Sequence, residues 1–327
     1  MMLDLDPPCS WSAVSAVRVR IQDTGRLRDW LSQRLNAGMS YLSRGERMMK
    51  LEDPSLLMSG AKSILIFLFR YQRGPTPQPE FGKMASYSLS RDYHILLREE
   101  ISRYLEQRGL YRDNFRIYVD TGPISERGIA ATGGLGWIGK SSMLVNKTLG
   151  SFTFIGVAVT DLAIEGPSFP QPDMCGRCTR CIDSCPTHAI RSDRTVDSNL
   201  CISYHTIESR EVIPPLIAMR MGNMVFGCDI CNDVCPWNRP DAKGCEIIRN
   251  DEGLMMKLED LAYMGQEEFR ERFGKTAIAR ATSAGLARNA TVALHNAGRD
   301  DLVRDIAMSF DDLRATQARV LLGFRQT

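Results

Sequence analysis

The sequence predicts an α+β chain of several domains, and three observations carry that reading. Helical and strand-like apolar patterns alternate from residue 10 to about 165. Eight of the ten cysteines then crowd between Cys175 and Cys235. Beyond Asp251 the apolar spacing turns helical. A length of 327 residues leaves room for roughly two or three domains. With 43% hydrophobic and 24% charged residues, wholesale disorder and fibrous repeats are excluded.

Lysine and arginine number 41 against 39 acidic residues, a formal charge of +2. That excludes a histone-like polycation but leaves room for a local basic face. The longest apolar run, Ile64 to Phe69, is far short of the roughly 20 residues a membrane span needs. The opening MMLDLDPPCSW carries acids and prolines where a secretory signal has a basic end and an apolar stretch. The expectation is a cytoplasmic enzyme with no membrane partner.

Taken in order, Leu27, Trp30, Leu31 and Leu35 recur at helical spacing. Ala61 to Phe69 (AKSILIFLF) is a continuous apolar run, as a strand buried on both faces shows. Tyr71 to Phe81 is rich in proline and glycine and reads as a loop. Tyr93 to Gln107 reads as a helix, with Asp92 as its N-cap and Gly109 as its stop. Phe115–Val119 and Phe152–Thr160 read as strands, completing an α/β domain. In the tail, Leu254, Leu258, Leu261, Phe269 and Phe273 precede paired amphipathic stretches holding Ala290, Leu294, Leu302 and Ile306. Helical hairpins of that kind suggest a fragment of an α-solenoid.

The first cysteine group, Cys175, Cys178, Cys181 and Cys185 followed by Pro186, has the C-x2-C-x2-C-x3-C-P spacing of bacterial ferredoxins. Such spacing wraps three thiolates round one cubane cluster and carries the fourth cysteine to the other. Cys228, Cys231 and Cys235, followed by Pro236, repeat the last three positions of that run. Seven thiolates result where two [4Fe–4S] clusters need eight. Cys201 is the expected supplier of the eighth, with Cys245 as its rival. The cross-over rule assigns Cys175, Cys178, Cys181 and Cys235 to one cluster, and Cys185, Cys201, Cys228 and Cys231 to the other. All-cysteine zinc is the alternative, although zinc motifs rarely carry two C-P endings. Cys9 is expected to be free in a loose N-terminal segment.

Gly134 to Ser141 (GLGWIGKS) satisfies the phosphate-loop pattern GxxxxGK[ST]. A phosphate loop must follow a buried strand directly, yet Glu126 to Gly133 is polar, and little room for a helix remains before Gly150. The glycines are expected instead to admit a large flat ligand or the neighbouring cluster domain. Asp120 ends the strand Phe115–Val119 and opens a turn, where ligands meet α/β sheets; a turn-capping aspartate is the plain alternative. His94 stands as either a proton donor or a packed helix residue. Glu126 and Arg127 read as solvated charges, and His188 and His205 as structural or exposed.

The chain resembles the epoxyqueuosine reductases, cobalamin- and iron–sulfur-dependent enzymes that complete queuosine in tRNA anticodons. The resemblance rests on MSYL (39–42), KMASYSLSRDYH (83–94), VDTGPISERGIAATGGLGWIGKSSMLVN (119–146) and GSFTFIGVAVTDL (150–162). It continues through CGRCTRCIDSCPTHAI, CISYHTIE, GCDICNDVCPWN and FRERFGKTAIARATSAGLARNATVAL (269–294). Ser90 departs from the family, standing where a glycine often precedes RDYH, and His188 replaces a smaller residue after CPT. The resemblance implies a cobalamin-binding α/β domain over residues 1–165, a ferredoxin-like two-cluster domain over 166–247 and a HEAT-like helical domain over 248–327. It places the family's catalytic acid on Asp120 and its histidine near the cobalt on His94. It puts Tyr93, Gly134, Gly136, Trp137, Lys140, Ser141 and Ser142 along the cobalamin.

On that reading an external electron donor feeds two clusters, the cobalamin reduces the epoxide, and Asp120 protonates the oxygen with a pKa raised by desolvation. The substrate is the tRNA anticodon stem-loop carrying epoxyqueuosine, met by a monomer. Two basic stretches are candidates for its phosphates: Arg18, Arg20, Arg26, Arg28 and Arg34, and Arg270, Arg272, Lys275, Arg280 and Arg288. Tyr87 and Trp137 are candidate platforms for a splayed base. A corrinoid-dependent reductive dehalogenase and a simple two-cluster electron carrier are the rival readings.

Overall fold

The computed structural model describes residues 5–164, 166, 169–239 and 242–323. Four long strands form the central sheet: β1 (Ser12–Arg18), β2 (Ser63–Arg70), β3 (Phe115–Val119) and β4 (Thr153–Thr160). Their order is β1-β2-β4-β3, and every neighbouring pair is antiparallel. All eight residues of β2 are buried. Leu65, Phe67 and Phe69 enter the core on one face, while Ile64, Ile66 and Leu68 enter the core on the other. A strand can be apolar at every position only when both faces are covered, and each such side chain contributes about 1.5–3 kcal/mol of burial.

Helix α1 (Tyr93–Glu106) covers the first face through Tyr93, Leu97, Ile101 and Tyr104. Asp92 caps it, its carboxylate accepting from His94 N at 2.9 Å. Helix α2 (Glu126–Thr132) covers the other face through Ile129 and Ala130. Val119 lies opposite Gly156 in the register of β3 with β4. The C-terminal end of β3, the N-terminal part of β4 and the start of α1 therefore meet at one end of the sheet.

Several of the expected elements differ in extent: β2 runs from Ser63 to Arg70 rather than from Ala61 to Phe69, and α1 ends at Glu106 rather than Gln107. The first apolar helix runs Gly25–Ser32, with Leu35 buried in the turn beyond it. The second strand of the pair begins at Thr153 rather than Phe152. Strand β1 escapes the pattern reading because it is an edge strand whose inward positions include Ser12 and Ser15.

The cysteine-rich segment docks through a short parallel pairing of Lys83–Met84 with Met224–Phe226. Tail helices α3 (Ser283–Asn296), α4 (Asp300–Ser309) and α5 (Leu313–Leu321) complete the chain. Residues 285–294 of α3 are buried on every side. Its apolar residues share a core with Met84, Leu89, Val225 and Phe226, so tail, cluster segment and front half are stitched together. Cys9 is not the free thiol expected: it forms a disulfide with Cys245, Cα to Cα 6.2 Å, tying the approach to β1 to the segment after the clusters. No helix of the described residues is long and apolar enough to cross a membrane.

Candidate active site

Asp120 is the first residue after β3, and its backbone is left-handed at φ +58°. Few side chains adopt that conformation, and aspartate is among those that tolerate it. Glu126 at the start of α2 holds it there, its Oε1 accepting from Asp120 N at 2.6 Å. Across the turn, Arg47 donates to Gly122 O at 3.0 Å. The chain thus fixes the acid from both sides.

Tyr93 and His94 reach the same carboxylate from the first turn of α1. The Tyr93 hydroxyl donates to Asp120 Oδ2 at 3.0 Å. His94 Nε2 lies 3.5 Å from that oxygen, a charge contact rather than a hydrogen bond, and this buried nitrogen has no hydrogen-bond partner. On the opposite side of the ring, Nδ1 is held by Asp92 Oδ1 at 2.7 Å. The ring also stacks on Tyr93, which stacks in turn on Phe154 of β4. Tyr87 meets Tyr93 edge-on.

Electrostatics separates these groups. Burial alone would lower His94, but Asp120 and Asp92 outweigh it and raise it to about 9. Burial would raise Asp120, yet His94 and Tyr93 outweigh it and hold the carboxyl below its ordinary value. Asp120 therefore lies below its ordinary value, where the resemblance leads one to expect a carboxyl raised by desolvation beneath a corrin. At neutral pH His94 is the imidazolium and Asp120 the carboxylate. Burial and the Asp120 charge push Glu126 up to about 8. Burial raises Tyr93 and Tyr87 as well. The Asp120 side chain nonetheless keeps 64% of its surface open, as at the floor of a cleft.

The phosphate-loop pattern folds as a β-hairpin, Trp137–Ile138 pairing with Leu144–Val145, so no helix follows the Gly-Lys-Ser. Lys140 Nζ instead donates to the carbonyls of Gly176 and Cys178, at 2.8 and 2.9 Å. Trp137 Nε1 lies 3.5 Å from Cys175 Sγ, and the ring is edge-on to Trp237. At 3% exposure Trp137 offers no face to a splayed base, which corrects that expectation. The glycines approach the chain itself. A Cβ on Gly134 would stand 2.7 Å from Phe169 O, and one on Gly136 2.2 Å from Val145 O. Ser141 lines the recess of the first cysteine group together with Cys175, Cys178, Cys181 and Cys235. Ser142 is tied to Arg194 O through its hydroxyl.

The strongest thiol–thiol influences divide the cysteines into two neighbouring groups. Cys235 feels Cys175 and Cys178, and Cys181 feels Cys175 and Cys235. Cys228 feels Cys201 and Cys185, and Cys231 feels Cys228 and Cys201, with a weaker influence from Cys181 across the two groups. Cys245 is committed to Cys9, which removes it as a rival ligand. Burial first, and then neighbouring thiols, raise Cys181, Cys228 and Cys231 above their ordinary values. Thiols packed so closely cannot ionise together without a cation among them, so the donor set suits metal clusters.

Among the basic candidates, Arg288 is fully buried and donates to the carbonyls of His205, Ser209 and Glu211. It is a structural residue, which corrects its placement on an RNA-facing surface. Arg280 pairs with Glu208 at 2.9 Å, and Arg28 with Glu52 at 2.7 Å. His188 is exposed, and buried His205 bonds Asn199 O through Nε2. Sequence reasoning missed Arg47, and it read Glu126 as a solvated charge. The fold-back of the turn brings Glu126 to Asp120, and Arg47 reaches the next residues of the turn from the helix Gly45–Glu52.

Residues 52–121 match the family model described as epoxyqueuosine reductase QueG, DUF1730, and residues 174–238 match the 4Fe-4S double cluster binding domain. The epoxyqueuosine reductase of Cyclobacterium marinum is 36% identical over 277 residues, covering 82% of this chain and 87% of that one. The chain belongs to the epoxyqueuosine reductase family. The family's Synechocystis member is 39% identical over 277 residues, 81% of this chain and 93% of its own. Among solved structures, the epoxyqueuosine reductase of Streptococcus thermophilus shares the fold at a TM-score of 0.84, with 24% identity and coverage of 97% and 86%. Another, solved with a tRNA-Tyr epoxyqueuosine-modified stem loop, gives a TM-score of 0.83 at 25% identity, covering 99% of this chain and 86% of that one. The chain is thus an oxidoreductase that reduces epoxyqueuosine, and its double-cluster domain spans all eight cysteines of the two groups.

Proposed function

We propose that the cleft over Asp120 is where epoxyqueuosine in a tRNA anticodon stem-loop is reduced beside a bound cobalamin. The observation carrying this is the solvent-open Asp120 carboxylate with Tyr93 and His94 converging on it. The orphaned His94 Nε2 in the same place calls for a polar atom of a bound group. Tyr93 and His94 would face the cobalamin on one side. Arg127, which donates to Ser142 O, joins the cleft to the loop that borders the first cysteine group. Two [4Fe–4S] clusters and a cobalamin, when bound, carry electrons from an external donor to the epoxide. We assign Cys175, Cys178, Cys181 and Cys235 to one cluster and Cys185, Cys201, Cys228 and Cys231 to the other. Lys140, Trp137 and Ser141 support the first of these rather than line the corrin. The parts are a cobalamin domain, a ferredoxin-like module and a HEAT-like tail working as a cytoplasmic monomer.

Reducing an epoxide takes two electrons and two protons, whether its oxygen stays as an alcohol or leaves as water. The residues hold the first proton. At neutral pH His94 carries it, with the Asp120 carboxylate 3.5 Å from Nε2. Negative charge developing on the substrate oxygen draws that proton outward, with Asp120 touching the oxygen and His94 behind it. Tyr93 fixes the carboxylate, and Asp92 fixes the imidazole. The second proton comes from water through the open side of the cleft.

The test is Asp120→Asn, loaded with cobalamin and both clusters and assayed on epoxyqueuosine-containing tRNA by nucleoside mass spectrometry. Turnover falls on the order of a hundredfold or more with substrate binding retained. Undiminished turnover in the loaded variant contradicts the role of Asp120.

A further inference from the structure

We infer that Glu126 is a positioning residue for the acid: it fixes the backbone of Asp120 and makes the reaction sensitive to mildly alkaline pH. The inference rests on the role proposed for Asp120. Its first support is geometric. The left-handed Asp120 backbone is a conformation most residues avoid, and its N–H donates to Glu126 Oε1 at 2.6 Å. The rest of the turn leaves little slack. Thr121 N donates back to Val119 O at 2.6 Å, and Arg47 holds Gly122 O. A Cβ on Gly122 would lie 2.6 Å from the Tyr118 ring, so the turn is packed against its own strand. Without the Glu126 acceptor, the Asp120 N–H loses its partner and the carboxylate loses its aim at Tyr93 and His94.

The second support is the company Glu126 keeps. From the turn it faces Asp120, from its own helix Arg127, and from α1 both His94 and Tyr93. Asp120 is already a carboxylate there. A neutral Glu126 accepts the backbone N–H without adding charge. An ionised one sets a second negative charge beside Asp120, where the reaction must develop negative charge on oxygen. Burial in the cleft places that change at about 8, below the loss of the His94 proton at about 9.

The experiment compares Glu126→Gln and Glu126→Ala in the cluster-loaded, cobalamin-supplemented protein. Glutamine keeps the acceptor and cannot ionise. Its kcat at pH 7 stays within about threefold, and the alkaline fall of kcat moves from about pH 8 toward about 9. Alanine loses on the order of tenfold or more in kcat, with KM for the RNA nearly unchanged. Amide hydrogen exchange over residues 119–124 is read on the same proteins without turnover. It rises in the alanine variant and not in the glutamine variant. An alanine variant with full kcat and unchanged exchange overturns the inference, as does a fall near pH 8 that persists in glutamine. Wild-type protein that leaves epoxyqueuosine RNA untouched sinks the proposed reaction instead, while the exchange comparison still decides the role of Glu126 in holding the turn.

Discussion

His94 shows how a residue's role is set by neighbours the sequence does not bring together. As the second residue of a helix it is as ordinary as any capped position. Its charge comes from Asp92 on one ring nitrogen and Asp120 near the other. Because its folded pKa is raised to about 9, the stabilisation it gains from these carboxylates is complete below the ordinary histidine value and is lost as pH rises through about 9. Removing one partner moves that window. Asp92→Asn leaves the ring hydrogen-bonded but lowers its proton affinity, shifting the His94-dependent fall of kcat to lower pH. A pH–rate profile checks this, best in the Glu126→Gln background where the lower limb is absent. An unchanged profile means that Asp92 does not set the charge of the ring.

At the scale of elements, the hairpin that mimics a phosphate loop is the clearest case of one pattern serving another end. Its lysine grips the backbone carbonyls of Gly176 and Cys178, between ligands of the first cysteine group. Groups that orient ligands from outside are typically worth about 10–100-fold in metal affinity. Lys140→Met is expected to release iron to a chelator about tenfold faster, followed by loss of the visible cluster absorbance. Release at the wild-type rate would show the lysine to be passive. Helix α3 carries a comparable hidden device in Arg288. It is wholly buried and tied to three carbonyls of the segment 205–211, joining the tail to the cluster module. Arg288→Met leaves those acceptors unpaired and costs about 2–4 kcal/mol in denaturant unfolding, while RNA affinity in the folded protein stays unchanged. A loss of RNA affinity with stability intact would return Arg288 to the surface role first expected of it.

For the whole molecule, what the sequence made legible was whatever burial or spacing enforces locally. Strand β2 reads directly because both its faces are covered, and α1 because its cap, stripe and terminal glycine are contiguous. The cysteine spacing is legible for the same reason, since a cubane dictates it. Long-range pairings stayed hidden. Nothing near Cys9 announces Cys245, which lies 236 residues away. Glu126 looked like surface charge because its partner is a backbone N–H across a turn. Arg288 looked basic and exposed because a charge run says nothing of the carbonyls that fold over it. The sheet, the cluster module and the tail share cores built from long-range contacts that pattern reading lacks.

The most direct measurement is the metal content and visible spectrum of anaerobically purified protein given cobalamin. The account predicts about eight irons per chain, close to one tightly retained corrinoid, and corrin bands beside iron–sulfur absorbance. Zinc in place of iron, or a full iron complement with no corrinoid retained, would contradict it.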